Sequence, residues 1–88
     1  MNELFEEVVV WKRISEDAVV KYCCFRDCGD GRVAVQSADF FRLPVDDAQL
    51  MRSERQKLEL LIECSPRDRC EWFESLEDAI SHHDAAFR

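Results

Sequence analysis

The side chains best suited to chemistry in this chain are its thiols and imidazoles. Three cysteines fall in "KYCCFRDCGDGR", Lys21 to Arg32, and Cys64, Cys70 and the adjacent His82 and His83 follow in the second half. Thiolates and imidazoles are zinc ligands, so a set drawn from Cys23, Cys28, Cys64, Cys70 and His83 is the candidate metal site. Structural zinc sites usually present such ligands as Cys-x2-Cys knuckles, and neither knuckle occurs here. Cys23 and Cys24 are adjacent, so in a strand they point to opposite faces and only one can join Cys28. Free cysteine is among the most buried residue types, which favours thiols that simply pack. A redox role fits poorly, because catalytic thiols need a Cys-x-x-Cys at a helix start or a cationic neighbour, and Cys28 is flanked by Asp27 and Asp30. The acidic pairs Glu6–Glu7, Asp46–Asp47 and Glu77–Asp78 are explained by strand starts and helix N-termini, and "CGDG" is a hairpin turn rather than a phosphate loop. These residues point away from catalysis and imply no cofactor.

The second candidate set is aromatic. Adjacent Phe40 and Phe41 cannot share one face of a strand, so one of them must leave the core. An outward ring beside Trp11 or Trp72 would mark a contact surface for another protein. Trp11, Phe40, Phe41 and Trp72 are therefore the candidate partner-binding residues. The expected partner is another protein or a second copy of the chain, met through an uncovered sheet face or an edge strand.

The elements that would carry these residues are legible in the spacing. "EEVVVWKRI", "AVVKYCCFRD" and "RVAVQSADFF" read as strands, joined by a polar turn at Ser15 to Asp17 and a tight turn at Cys28 to Gly31. That is a three-stranded antiparallel meander. Within it Val20, Tyr22 and Cys24 should face the core with Val33 and Val35, with Cys23 and Phe25 on the other side. Asp46, with Gln49 three residues on, predicts a helix start. The polar run "RSERQK" then argues for a short helix, and Leu58, Leu60, Ile62 and Cys64 at period two suggest a fourth strand. "SPRD" would turn into a fifth strand, "RCEWF", placing Cys64 and Cys70 across a C-terminal hairpin. The alternative is one long helix from Asp46 to Cys64. Ser75 caps a final helix whose inner face is Leu76, Ala79, Ile80, His83, Ala86 and Phe87. The expected fold is α+β: an antiparallel sheet with a short and a longer helix packed on one face.

Composition bounds the rest. The 88 residues suffice for one domain, 47 % are hydrophobic and 35 % charged, and two glycines and two prolines leave no linker or low-complexity tract. The net charge of −7 repels phosphate backbones, and the basic residues are scattered among acids, so nucleic acid is not the expected partner. The opening "MNELFEEVVVWKR" is acidic before a short apolar run, unlike a secretory signal or a membrane span. Five cysteines is an odd number, and the expectation is reduced thiols in the cytoplasm. The resulting expectation is a small acidic cytoplasmic domain acting through protein contacts, with a thiol- or zinc-binding protein as the alternative.

Overall fold

A computed structural model describes residues 3–86. Its elements are β1 (Phe5–Arg13), β2 (Ala18–Asp27), β3 (Val33–Arg42), α1 (Asp47–Glu63), α2 (Pro66–Arg69) and α3 (Leu76–Ala86). The strands form an antiparallel meander in the order β1-β2-β3, as the β-branched and aromatic runs predict. The first turn is held by Ser15 Oγ donating to Asp17 Oδ1 at 2.7 Å. In the second, Asp27 and Asp30 accept from the backbone N–H groups of Gly29 and Arg32 at 2.8 and 2.9 Å, and Gly31 takes φ +76°. β1 pairs with β2 in unbroken register from Phe5 opposite Asp27 to Arg13 opposite Val19. The β2–β3 register shifts between Cys23 and Cys24, whose partners are Ser37 and Val35, so Gln36 is left as a bulge.

The helices lie on opposite faces of this sheet, not together on one. Lys21 of β2 meets Glu54 of α1 at 3.2 Å, whereas its neighbour Tyr22 donates to Asp84 of α3 at 2.7 Å. Consecutive strand residues face opposite ways, so α1 and α3 must be on different sides. The cause is written in β2, which is apolar in both directions: Tyr22, Cys23, Cys24 and Phe25 are all buried. A central strand of that kind needs cover on both faces.

The expected C-terminal hairpin does not form. Residues 58–64 are not a fourth strand: α1 continues to Glu63, making this first helix the longer one at 17 residues against 11 for α3. Leu, Glu, Lys, Arg and Gln are strong helix formers, and the apolar run that read as period two contains a single β-branched residue, Ile62. The polar "RSERQK" does not interrupt the helix because α1 meets the sheet through Gln49, Ser53, Lys57 and Leu61, spaced by four and mostly polar. Asp46 caps α1 by accepting from Ala48 N at 2.9 Å, while Gln49 reaches instead to the Phe40 carbonyl at 2.8 Å. Ser65 and Pro66 then open the short α2 rather than a turn, and the expected fifth strand is reduced to one bridge, Phe73 with Val33. Ser75 accepts from Asp78 N at 3.1 Å at the start of α3, whose Ala79 is buried. Phe87, expected on the inner face of α3, lies outside the described residues.

Candidate interaction surface

The meander determines where each thiol goes. Cys23 faces α1 and Cys24 faces α3; both are buried, Cys28 sits at the β2–β3 turn, Cys64 caps the end of α1 and Cys70 follows α2. All five are free thiols. Burial pushes Cys24 up to about 11, and it also raises Cys23, overriding the pull of Lys57. Cys70 is raised by burial more than Arg69 lowers it. Thiols so shifted are neutral and poor nucleophiles at physiological pH. Among the described residues, no group of three or more His, Cys, Asp or Glu side chains is gathered as a metal site would need. The five candidate ligands Cys23, Cys28, Cys64, Cys70 and His83 stay dispersed. His83 presents its ring to the edge of Tyr22, centroids 6.1 Å apart, and His82 lies 5.0 Å from the Phe73 ring and 3.5 Å from a Glu71 oxygen.

Among the described residues one charged group is buried. The carboxylate of Asp27 is clamped by Arg67 Nε at 2.6 Å and Nη2 at 3.0 Å and accepts from Gly29 N. The Arg67 guanidinium, followed by the Gly29 N–H, holds this carboxyl below its ordinary range. Beside the pair is a hollow of about 300 Å³ reaching Asp30, Arg32 and Trp72. With both oxygens committed, Asp27 ties the β2–β3 turn to α2 and is not available as a base. A second ionic layer lies under α1, where Lys57 bridges Glu7 at 3.2 Å and Glu54 at 3.1 Å. Burial alone would lower the Lys57 ammonium, but Glu54 and Glu7 outweigh it and its pKa is raised.

The four candidate aromatics divide. Phe41 is buried; Trp72 is half-buried, stacks on Phe5 at 6.1 Å between centroids and donates Nε1–H to the Pro66 carbonyl at 3.2 Å. Trp11 and Phe40 are exposed, at 58 % and 45 %. They do not share a patch: Trp11 opposes Lys21 on the α1 side, and Phe40 opposes Val20 on the α3 side. The Lys21 ammonium lies 5.6 Å from the Trp11 ring centroid and the Arg42 guanidinium 5.4 Å from that of Phe40.

The largest apolar exposure lies elsewhere, on α1. Met51, Leu58 and Ile62 are 67 %, 55 % and 83 % exposed. Spaced seven and then four apart, they form one stripe on the side of the helix away from the Gln49–Ser53–Lys57–Leu61 contact line. Leu43 and Val45, just before α1, are exposed as well. No residue of α1 is buried; its sheet-facing line is polar at Gln49, Ser53 and Lys57 and apolar at Leu61, while Met51, Leu58 and Ile62 face outwards. The signal is present in the sequence as apolar residues at the helical spacing 51, 58 and 62, but Leu58, Leu60, Ile62 and Cys64 also fit period two and so point equally to a strand. No helix among the described residues is long and apolar enough to cross a membrane. Protein-family models, curated proteins and solved structures give no match to this chain.

Proposed function

We propose that this acidic domain is a non-catalytic, cytoplasmic protein-interaction module whose docking surface is the outward face of α1, together with Trp11. The observation that carries the reading is the inverted amphipathicity of α1, with Met51, Leu58 and Ile62 exposed and its sheet-facing line mostly polar. Apolar residues of a surface helix ordinarily turn to the core. Each fully buried side chain of this size is worth about 1.5–3 kcal/mol, so covering the stripe favours association appreciably. The dispersed thiols, with Cys23, Cys24 and Cys70 raised by burial, and the committed Asp27 supply no catalytic constellation that would compete with this reading. Five free thiols suit a reducing compartment.

The test is a Leu58→Glu, Ile62→Glu double variant. Its circular dichroism and melting temperature should match wild type, because neither side chain is buried, while the set of proteins retained from cytosolic extract and any self-association should be lost together. A folded variant that keeps both would overturn the reading.

A further inference from the structure

The sheet has two edges, and they are treated differently. The outer edge of β3 is closed near its start by Phe73, whose backbone exchanges hydrogen bonds of 2.9 and 2.8 Å with Val33. It is bent in the middle by the bulge at Gln36, and near its end the Phe40 carbonyl accepts from Gln49. Bulges and covering groups of this kind protect an edge against pairing with another strand. β1 carries none of these devices. It runs nine residues without Pro, Gly or bulge, and among the described residues no strand lies beside its outer edge.

The sequence of β1, "FEEVVVWKR", is also complementary to itself when reversed. In an antiparallel pair centred on Val9, Glu6 opposes Lys12 of the second copy, Val8 opposes Val10, and Phe5 opposes Arg13. Parallel pairing would instead set acids against acids and bases against bases, which is unfavourable. A two-fold axis through Val9 keeps each side chain on its own face, because opposed residues then have equal parity. On the α1 face, Val9 and Trp11 of both copies come together at the joint. α1 stands over the same joint: Glu54 reaches Lys21, Lys21 lies against the Trp11 ring, and Met51 and Leu58 flank Glu54 at three and four residues.

We infer that the occupant of this surface is a second copy of the chain, joined β1 to β1 into one six-stranded antiparallel sheet, with the two α1 helices walling a trough floored by Val9 and Trp11. The inference rests on the proposed docking role of α1 and specifies its partner. It also accounts for the exposure of Trp11, which in this arrangement packs against Glu7 and Val9 of the second copy.

The experiment places a cysteine on the two-fold axis. In a Cys28→Ser, Cys64→Ser background, Val9→Cys sets two thiols on Cα atoms about 4.5–5.5 Å apart, within disulfide range. Mild oxidation should convert most of the protein to a covalent dimer, whereas Glu16→Cys in the exposed β1–β2 turn should not. In sedimentation equilibrium the wild type should be a dimer, and Trp11→Glu, which faces Glu7 across the joint, should weaken it by about tenfold or more while its circular dichroism is retained. A wild type that stays monomeric at about 100 μM, or a Val9→Cys dimer that forms no faster than the Glu16→Cys control, overturns the inference. If the Leu58→Glu, Ile62→Glu variant still loses its extract partners in that case, the docking role of α1 stands and only the identity of the partner falls.

Discussion

Tyr22 is the only tyrosine in the chain, so its ionisation can be followed directly by the ultraviolet absorbance of the phenolate. Its side chain is buried, and its hydroxyl donates to Asp84 Oδ1 at 2.7 Å, tying β2 to α3. Burial first, then the hydrogen bond to Asp84, raise the phenol from 10.0 to about 12. The same bond is the leading cause of the lowered carboxyl of Asp84. Because the folded value lies above the unfolded one, the neutral phenol stabilises the fold fully below pH 10, and that contribution is lost as pH rises towards 12. A shift of this size corresponds at most to about 2.7 kcal/mol. The Asp84 side chain is 26 % exposed. Solvent screening at that partner leaves about 1–2 kcal/mol. Tyr22→Phe should therefore lose about 1–2 kcal/mol in urea unfolding at neutral pH. The wild type and the variant should then converge in stability as pH approaches 12. Absorbance titration of the wild type, with far-ultraviolet circular dichroism followed in parallel, should give a phenolate midpoint well above 10.0 while the fold persists. A midpoint near the ordinary value in a chain that is still folded, or a Tyr22→Phe variant as stable as wild type at neutral pH, refutes the reasoning.

The Asp27–Arg67 pair makes the opposite prediction for acid. With its folded value depressed, chiefly by Arg67, Asp27 stabilises the fold above the ordinary carboxylate pKa of 3.8, and that contribution disappears as pH falls through the lower folded value. Arg67→Ala should therefore unfold at a higher pH than wild type on acid titration, the two converging once Asp27 is protonated in both, as followed by circular dichroism. α1 gives a third test: Glu59→Pro in the middle of a continuous helix should cost about 3 kcal/mol or more and remove helical signal. In the strand-and-hairpin alternative the same change would leave the helical signal intact.

The first half of the chain was readable because its signals are local. Valines and aromatics bounded by Ser15 to Asp17 and by Cys28 to Gly31 determine three strands and two turns without reference to anything distant. From Arg52 onward the sequence points the wrong way, because "RSERQK" offers no apolar face of the kind a helix ordinarily turns inward. α1 turns Lys57 and Glu54 towards the sheet, and it can do so because Glu7, Lys21 and Gln36 there supply polar partners at 3.2–3.3 Å. Those partners lie 21 to 50 residues away in sequence, beyond what spacing within one segment reveals. The placement of the helices on two faces is legible in the sequence: "KYCCFRD" is apolar on both sides of one strand. Of the candidate site, the dispersal of the thiols followed from the adjacency of Cys23 and Cys24. The division of the aromatics did not, since the alternation of Phe40 and Phe41 is clear in sequence while the choice of which one faces out depends on where α1 lies.

The two faces of the sheet are held by different physics, and this bears on what the domain does. On the α3 side, Ala79 is buried, Tyr22 bonds to Asp84, and Val33 and Phe73 share two backbone hydrogen bonds, so this layer is fixed by packing and by the backbone. On the α1 side the long helix buries no residue and is joined to the sheet mainly by Lys21, Glu54, Lys57 and Glu7. Ion pairs with exposed partners are each worth about 0–1 kcal/mol and weaken with salt. A helix draws most of its stability in a protein from the burial of an apolar face, and of the apolar residues of α1 Leu61 turns to the sheet while Met51, Leu58 and Ile62 point away from it. The isolated fold therefore leaves α1 the less firmly held layer, with the hydrophobic stabilisation of Met51, Leu58 and Ile62 unused. Covering Met51, Leu58 and Ile62 would stabilise the helix and the contact at once, so association and the ordering of α1 should be coupled, each strengthening as the other does.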